Sequence, residues 1–235
     1  MQLVNSDYPS RMKEILNESW RIFKWQFVNK VFVRDIDNEA PFQLHFASII
    51  RSVGTMYVLH GETFYVDLET RWDGLGSKRK YIDITCGFYE LGNVVPQYAC
   101  AIELKFKRKD YSALPHNMFA IYKDIESLER EVEAKGKIGI DMYSEGHFYF
   151  ITNNEDYCRK PAYEVKSMSQ SGKCDYSPFG LNNGRTCRKI VYHPKKGTDK
   201  DRIVELNKDY KISWETYDGS QVDEKWYFLE IDVNR

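Results

Sequence analysis

The chain has 235 residues, of which 42% are hydrophobic and 15% aromatic, enough to bury a sizeable core as one domain with extensions. Its 34 Lys and Arg residues nearly cancel 35 Asp and Glu, for a formal net charge of −1, so no global field marks it for a polyanionic partner. No apolar run approaches the length of a membrane span, and Met1-Gln2-Leu3 opens no basic-then-apolar leader, so a cytoplasmic protein is expected.

In chain order, Pro9 to about Lys30 reads as an amphipathic helix, because Met12, Ile15, Leu16, Ser19, Phe23, Phe27 and Val31 recur at helical spacing and Trp20 and Trp25 add bulk. It is expected to cover a core sheet; an aromatic dimer surface is the alternative. A second helix is expected from about Ala40 to Arg51, with Asp37 or Asn38 as N-cap and Gly54 as C-cap. A meander follows, with strands at Met56 to His60, Thr63 to Trp72, Lys80 to Thr85 and Tyr98 to Lys107. A helix from about Asn117 to Lys135 then leads to a strand at His147 to Thr152. From Tyr157 to Lys200 turn chemistry dominates, and Arg202 to Glu205, Tyr210 to Tyr217 and Trp226 to Val233 alternate as strands.

The five cysteines, at 86, 100, 158, 174 and 187, form no C-x-x-C pair and are odd in number. This argues against a structural zinc site or a disulfide framework and for a reducing compartment. Cys86 and Cys100 read as inert core thiols. There is no internal repeat, P-loop, G-x-G-x-x-G or G-x-S-x-G motif.

The chemistry concentrates in Ile102-Glu103-Leu104-Lys105-Phe106-Lys107. With a strand period of two, Glu103 and Lys105 share one face while Ile102, Leu104 and Phe106 take the other. Asp83, bracketed by Ile82 and Ile84, repeats the device of a charge inside an apolar strand. Carboxylates are seldom buried without a partner, and one or two of them suffice to hold Mg²⁺. On the second helix, at about 100° per residue, Glu39, Gln43, Phe46 and Ile50 fall nearly on one line, so Glu39 borders the buried stripe. Each feature also has a plainer reading: Glu103 and Lys105 as a solvated ion pair of little energetic value, and Glu39 as a partner of the helix dipole.

Asp83 followed by Glu103-Leu104-Lys105 resembles the bipartite motif of the PD-(D/E)XK nuclease superfamily, with Ile82 in place of the name's proline. Glu39 matches the glutamate that superfamily carries on its first core helix. Lys123-Asp124-Ile125-Glu126 and Phe148 to Tyr157 resemble segments of uncharacterised bacterial members. The resemblance covers roughly residues 35 to 157.

It implies an α+β or α/β fold with a restriction-endonuclease-like core: a mixed sheet flanked by helices. The expected layout is a single domain over 1–235, with an N-terminal helical extension at 1–34, the core at 35–157, a loop-rich insertion at 158–200 and C-terminal strands at 201–235. It also implies hydrolysis of phosphodiester bonds in nucleic acid, DNA in the first instance, with Mg²⁺ or Mn²⁺ held by Asp83, Glu103 and Glu39. The Ala101 or Leu104 carbonyl region would complete the metal shell. Lys105 would orient or deprotonate the nucleophile, and Lys107 and Lys123 would meet substrate phosphates, with Glu126 facing the cleft; Gln43, one turn from Glu39, reads as a partner of Glu39, of a substrate phosphate, or of its own helix.

Local basic clusters at Lys78-Arg79-Lys80, Lys105 to Lys109 and Lys195-Lys196, and Arg185, Arg188 and Lys189 in the insertion, offer phosphate contacts. The rival expectations are a catalytically silent nuclease-fold module that binds nucleic acid or protein, and an assembly protein using its aromatic surface.

Overall fold

The computed structural model describes residues 7–32, 36–72, 80–110, 114–134, 143–158, 186, 188–192, 202–217 and 225–234. The basic residues Lys78, Arg79, Lys195 and Lys196, the insertion's Arg185, and Cys174 and Cys187 lie outside them.

Helix α1 spans Tyr8–Val28. It starts where the Asp7 side chain accepts the Ser10 amide at 3.0 Å, with Pro9 in the first turn, where its missing N–H costs nothing. Met12, Ile15, Leu16, Trp20 and Phe23 are buried, whereas Trp25 and Val31 are exposed. The buried Arg11 ties this helix to the chain beyond the next one, reaching the Tyr57 carbonyl at 2.8 Å and the Glu62 carboxylate through both terminal nitrogens, at 2.6 and 2.9 Å.

Helix α2 spans Glu39–Thr55, capped by the Asn38 side chain on the Ala40 amide at 3.0 Å. It continues through Gly54, which is therefore not the cap; Met56 takes that place. A Cβ on Gly54 would meet the Phe64 ring at 2.2 Å, so the glycine allows helix and sheet to touch there. The strand expected at 56–60 is instead a turn and coil, held by Arg11 and by a Leu59 amide bond to Glu62 at 3.0 Å.

The strands are β1 (Glu62–Trp72), β2 (Lys80–Glu90), β3 (Tyr98–Lys107), β4 (Glu145–Thr152), β5 (Lys189–Tyr192), β6 (Arg202–Glu205), β7 (Glu215–Tyr217) and β8 (Trp226–Val233); helix α3 (Leu114–Glu133) precedes β4. Strand β7 keeps only the end of the segment expected at Tyr210 to Tyr217. A six-stranded sheet runs in the order β1-β2-β3-β4-β8-β7, and β5 pairs with β6 alone. Strands β1 to β3 form an antiparallel meander, β3 and β4 are parallel with α3 between them in the chain, and β8 lies antiparallel to β4. The protein is thus α+β with a mixed sheet.

Strand alternation divides the core into two layers. Ile84, Cys86, Cys100, Ile102, Leu104, Phe106, Tyr149 and Phe228 pack with α1 and α2, in a layer dense with aromatic pairs such as Trp20 on Tyr149 at 4.8 Å. On the other face, Ala99, Ala101, Phe148, Phe150 and Leu229 pack with Phe119, Tyr122, Ile125 and Leu128 of α3. Among the described residues no helix is long and apolar enough to cross a membrane.

Candidate functional site

The β2–β3 ladder runs from Phe88↔Tyr98 to Ile84↔Ile102 and stops one step short of Asp83 and Glu103, which the same register would set opposite each other. The β1–β2 pairing also skips a step there, between Leu68↔Ile84 and Thr70↔Ile82, where Glu69 has a left-handed φ of 51°. Ile82 and Ile84 consequently enter opposite layers of the core, which unbroken alternation forbids. The alternation of β2 is broken at Asp83, and its pairing with β3 ends there.

Carboxylates occupy the gap. On the edge of β3 that β2 no longer pairs, the Leu104 amide donates to Asp83 Oδ2 at 2.7 Å, and the Phe106 amide to Glu39 Oε2 at 3.3 Å. Gln43 donates from Nε2 to the Asp83 carbonyl at 2.7 Å and to Glu69 Oε1 at 2.8 Å, so it braces the break. Its amide nitrogen, expected to meet a phosphate, is engaged by the protein itself.

Lys105 enters the same place from the α3 face of β3, its Nζ 3.0 Å from Asp124 Oδ2 and 3.5 Å from Glu39 Oε1. Only 14% of its side chain is exposed. Burial lowers its pKa, but Asp124, Glu39 and Asp83 more than reverse this, so the amine holds its proton firmly. Asp83 behaves in the opposite sense: burial pushes its carboxyl up to about 6, with Glu39 and Asp124 adding to the rise and the Leu104 amide and Lys105 opposing it. Lys107, two residues beyond Lys105 and half-buried, is lowered by desolvation and feels the same Glu39 and Asp124.

Of the residues expected to act, Glu39, Asp83, Lys105, Lys107 and Gln43 therefore meet. Glu103, 5% exposed, shares the Lys105 face of β3. Lys123 lies over the Phe119 ring at 5.9 Å, one turn back on α3. Glu126 turns away, accepting the Glu205 amide at 3.1 Å and pairing with Arg130, so it supports β6. In the insertion, Arg188 is bound to the Asn207 carbonyl at 2.8 Å. Asp124 was not singled out from sequence, although an acid among Ile121, Ile125 and Leu128, all buried, is a legible signal.

Three-ligand groups with all atoms within 4.8 Å occur elsewhere among the described residues, as Cys100, Glu145 and His147 and as His147, Glu230 and Asp232; Glu39, Asp83 and Glu103 do not form one. No family model matches this chain, and searches of curated proteins and of solved structures return no match.

Proposed function

We propose that the chain is a metal-dependent nuclease with a restriction-endonuclease-like core, its centre at the parted ends of β2 and β3. The observation carrying this reading is the meeting of Asp83, Glu39, Asp124 and Lys105 where an antiparallel ladder opens. Asp83, Glu39 and Asp124 gather around Lys105, with Lys107 at the margin, and the all-oxygen donor set fits a hard ion such as Mg²⁺ or Mn²⁺. Asp83 and Glu103 would hold the ion, with Glu39 beside them. When bound, the ion lowers the pKa of a coordinated water and screens charge on the phosphate.

The protein's own groups supply the rest. Lys105, locked as a cation by Asp124 and Glu39, offsets negative charge on the attacked phosphate and is not the base at neutral pH. Gln43 fixes the Asp83 backbone, and the Leu104 amide aims the Asp83 carboxylate. Lys107, next along the strand, meets the substrate backbone. Nucleic acid, DNA first, is the partner; a homodimer is compatible with this reading.

Purified protein incubated with Mg²⁺ or Mn²⁺ and mixed DNA and RNA substrates should cut, with Lys105→Ala slowing cleavage about 10²–10³-fold and Asp83→Asn at least as much. Equal rates in wild type and both variants would end the assignment. The second reading, a silent nucleic-acid-binding or protein-interaction module, draws on one observation: Lys105 is already matched by Asp124 and Glu39 without an ion. Calorimetry separates the two, because only the enzyme binds Mn²⁺ in an Asp83-dependent manner.

A further inference from the structure

On the opposite face of the sheet, alternation and register gather a second set of ligand-bearing side chains. Cys100 on β3 lies beside Glu145 on β4, and His147 and Tyr149 on β4 lie beside Asp232 and Glu230 on β8. All share the α1 layer, since Cys100, Ile102 and Tyr149 pack there. Lys105 belongs to the α3 face, so this cluster is separate from the parted strands.

His147 is 5% exposed and is aimed at carboxylates from both ring nitrogens. Its Nδ1 lies 3.0 Å from Asp232 Oδ1 and 4.0 Å from Glu230 Oε1, and its Nε2 lies 3.7 Å from Glu145 Oε1. The ring is thus ion-paired to Asp232, whereas the 4.0 Å to Glu230 and the 3.7 Å to Glu145 are longer than hydrogen bonds, and Glu145 Oε1 has no hydrogen-bond partner. Groups this deeply buried are almost always satisfied. Two ligands about 2.1 Å from one tetrahedral ion sit roughly 3.4 Å apart, and the 3.0 and 4.0 Å separations on the Nδ1 side straddle that spacing.

We propose that His147 Nδ1, Glu230 and Asp232 form a binding site for a zinc-class divalent cation, with Glu145 orienting the imidazole from Nε2. A carboxylate behind a ligating histidine is the usual means of fixing its tautomer and raising its basicity. Tyr149 plays the same part for Glu230, donating its hydroxyl to Oε1 at 3.0 Å. One nitrogen with two oxygens favours Zn²⁺ over Mg²⁺. The cysteine spacing could not reveal such a site, because its ligands come from two strands far apart in the chain and include no thiolate.

The Nδ1 side is preferred over the Cys100 side because it has an entrance. Glu230 and Asp232 line an open pocket of about 320 Å³ with Asn17, Lys211, Ser213 and Glu215, and 52% of the Asp232 side chain is exposed. Cys100 is fully buried, and burial pushes its thiol well above the range in which it yields the thiolate a metal needs. Bound there, the ion would tie β8, and β7 behind it, to the middle of the sheet.

The test uses the full chain stripped with chelator and titrated with Zn²⁺ alone, read by retained metal after desalting and by thermal melting. Wild type should keep one equivalent and melt higher with Zn²⁺; Glu145→Gln should weaken binding about 10–100-fold. The double variant Glu230→Gln/Asp232→Asn should retain no zinc and show no thermal gain. Asp83→Asn should bind zinc as wild type does, which keeps this site's fate separate from the nuclease assignment. Co²⁺ in place of Zn²⁺ should give d–d bands without a thiolate charge-transfer band. No retained zinc in wild type, undiminished binding in the double variant, dependence on Asp83, or a thiolate band would each overturn the proposal.

Discussion

At the residue scale, the decisive side chain is Asp83, because the regular β2–β3 ladder ends beside it and its carboxylate takes the Leu104 amide. Its carboxyl has a reference value of 3.8 and is raised to about 6 in the fold. A raised carboxylic acid binds its proton more tightly when folded, so its contribution is fully present below about pH 4 and is lost as pH rises through 6. Metal-free wild type should therefore lose at most about 3 kcal/mol relative to Asp83→Asn between pH 4 and 7. Denaturant unfolding of both proteins in chelator measures this, and parallel pH profiles would refute it. Arg11 gives a second residue-scale prediction. Its guanidinium is fully buried and bidentate on Glu62, so Glu62→Gln leaves a buried charge uncompensated and should cost about 3–5 kcal/mol. A loss under 1 kcal/mol by the same measurement would mean that Arg11 finds another partner.

At the element scale, the contact of α2 with β1 fixes where Glu39 stands. Gly54 lets the helix rest on Phe64, and an added Cβ would sit 2.2 Å from that ring. Gly54→Ala should destabilise by about 1–3 kcal/mol and, by shifting α2, weaken activity as well, whereas Thr55→Ala on the same turn should leave activity unchanged. Gly54 also shows why part of the fold was not legible from sequence. A glycine near a helix end signals a cap when read locally, and only the Phe64 ring, ten residues on, reveals packing. Strand β3 was legible to the residue because an apolar run from Tyr98 passes into strict alternation of apolar and charged residues from Ile102 to Lys107. Met56 to Leu59 read as strand because they are an apolar run, but Arg11 captures the Tyr57 carbonyl from 46 residues away and Glu62 takes the Leu59 amide.

At the scale of the whole molecule, the order of elements was readable except for the extra strand expected at 56–60: two helices, an antiparallel meander, a third helix and a further strand of a mixed sheet; that β4 runs parallel to β3 comes from the structure. Glu39, Asp83 and Lys105 do come together as the sequence suggested, but Glu39, Asp83 and Glu103 do not form a three-ligand group among the described residues. The parting of the strands at Asp83 was not readable, because alternation assigns Ile82 and Ile84 to one face and the structure sends them to two. Asp124 was overlooked for a related reason: its importance comes from Lys105 on another element, 3.0 Å away. The His147 cluster depends on strand register across β3, β4 and β8, which sequence does not disclose without the fold.

These scales converge on one claim, that the opened ladder is a cation site rather than a closed ion-pair cluster. The most direct measurement is anomalous diffraction from crystals soaked in Mn²⁺. A peak within about 2.0–2.3 Å of Asp83 and Glu103 carboxylate oxygens, with Lys105 still beside it, is the predicted result. A fully occupied His147 site with no density at Asp83, or Lys105 unmoved between Asp124 and Glu39 and no ion nearby, would contradict it.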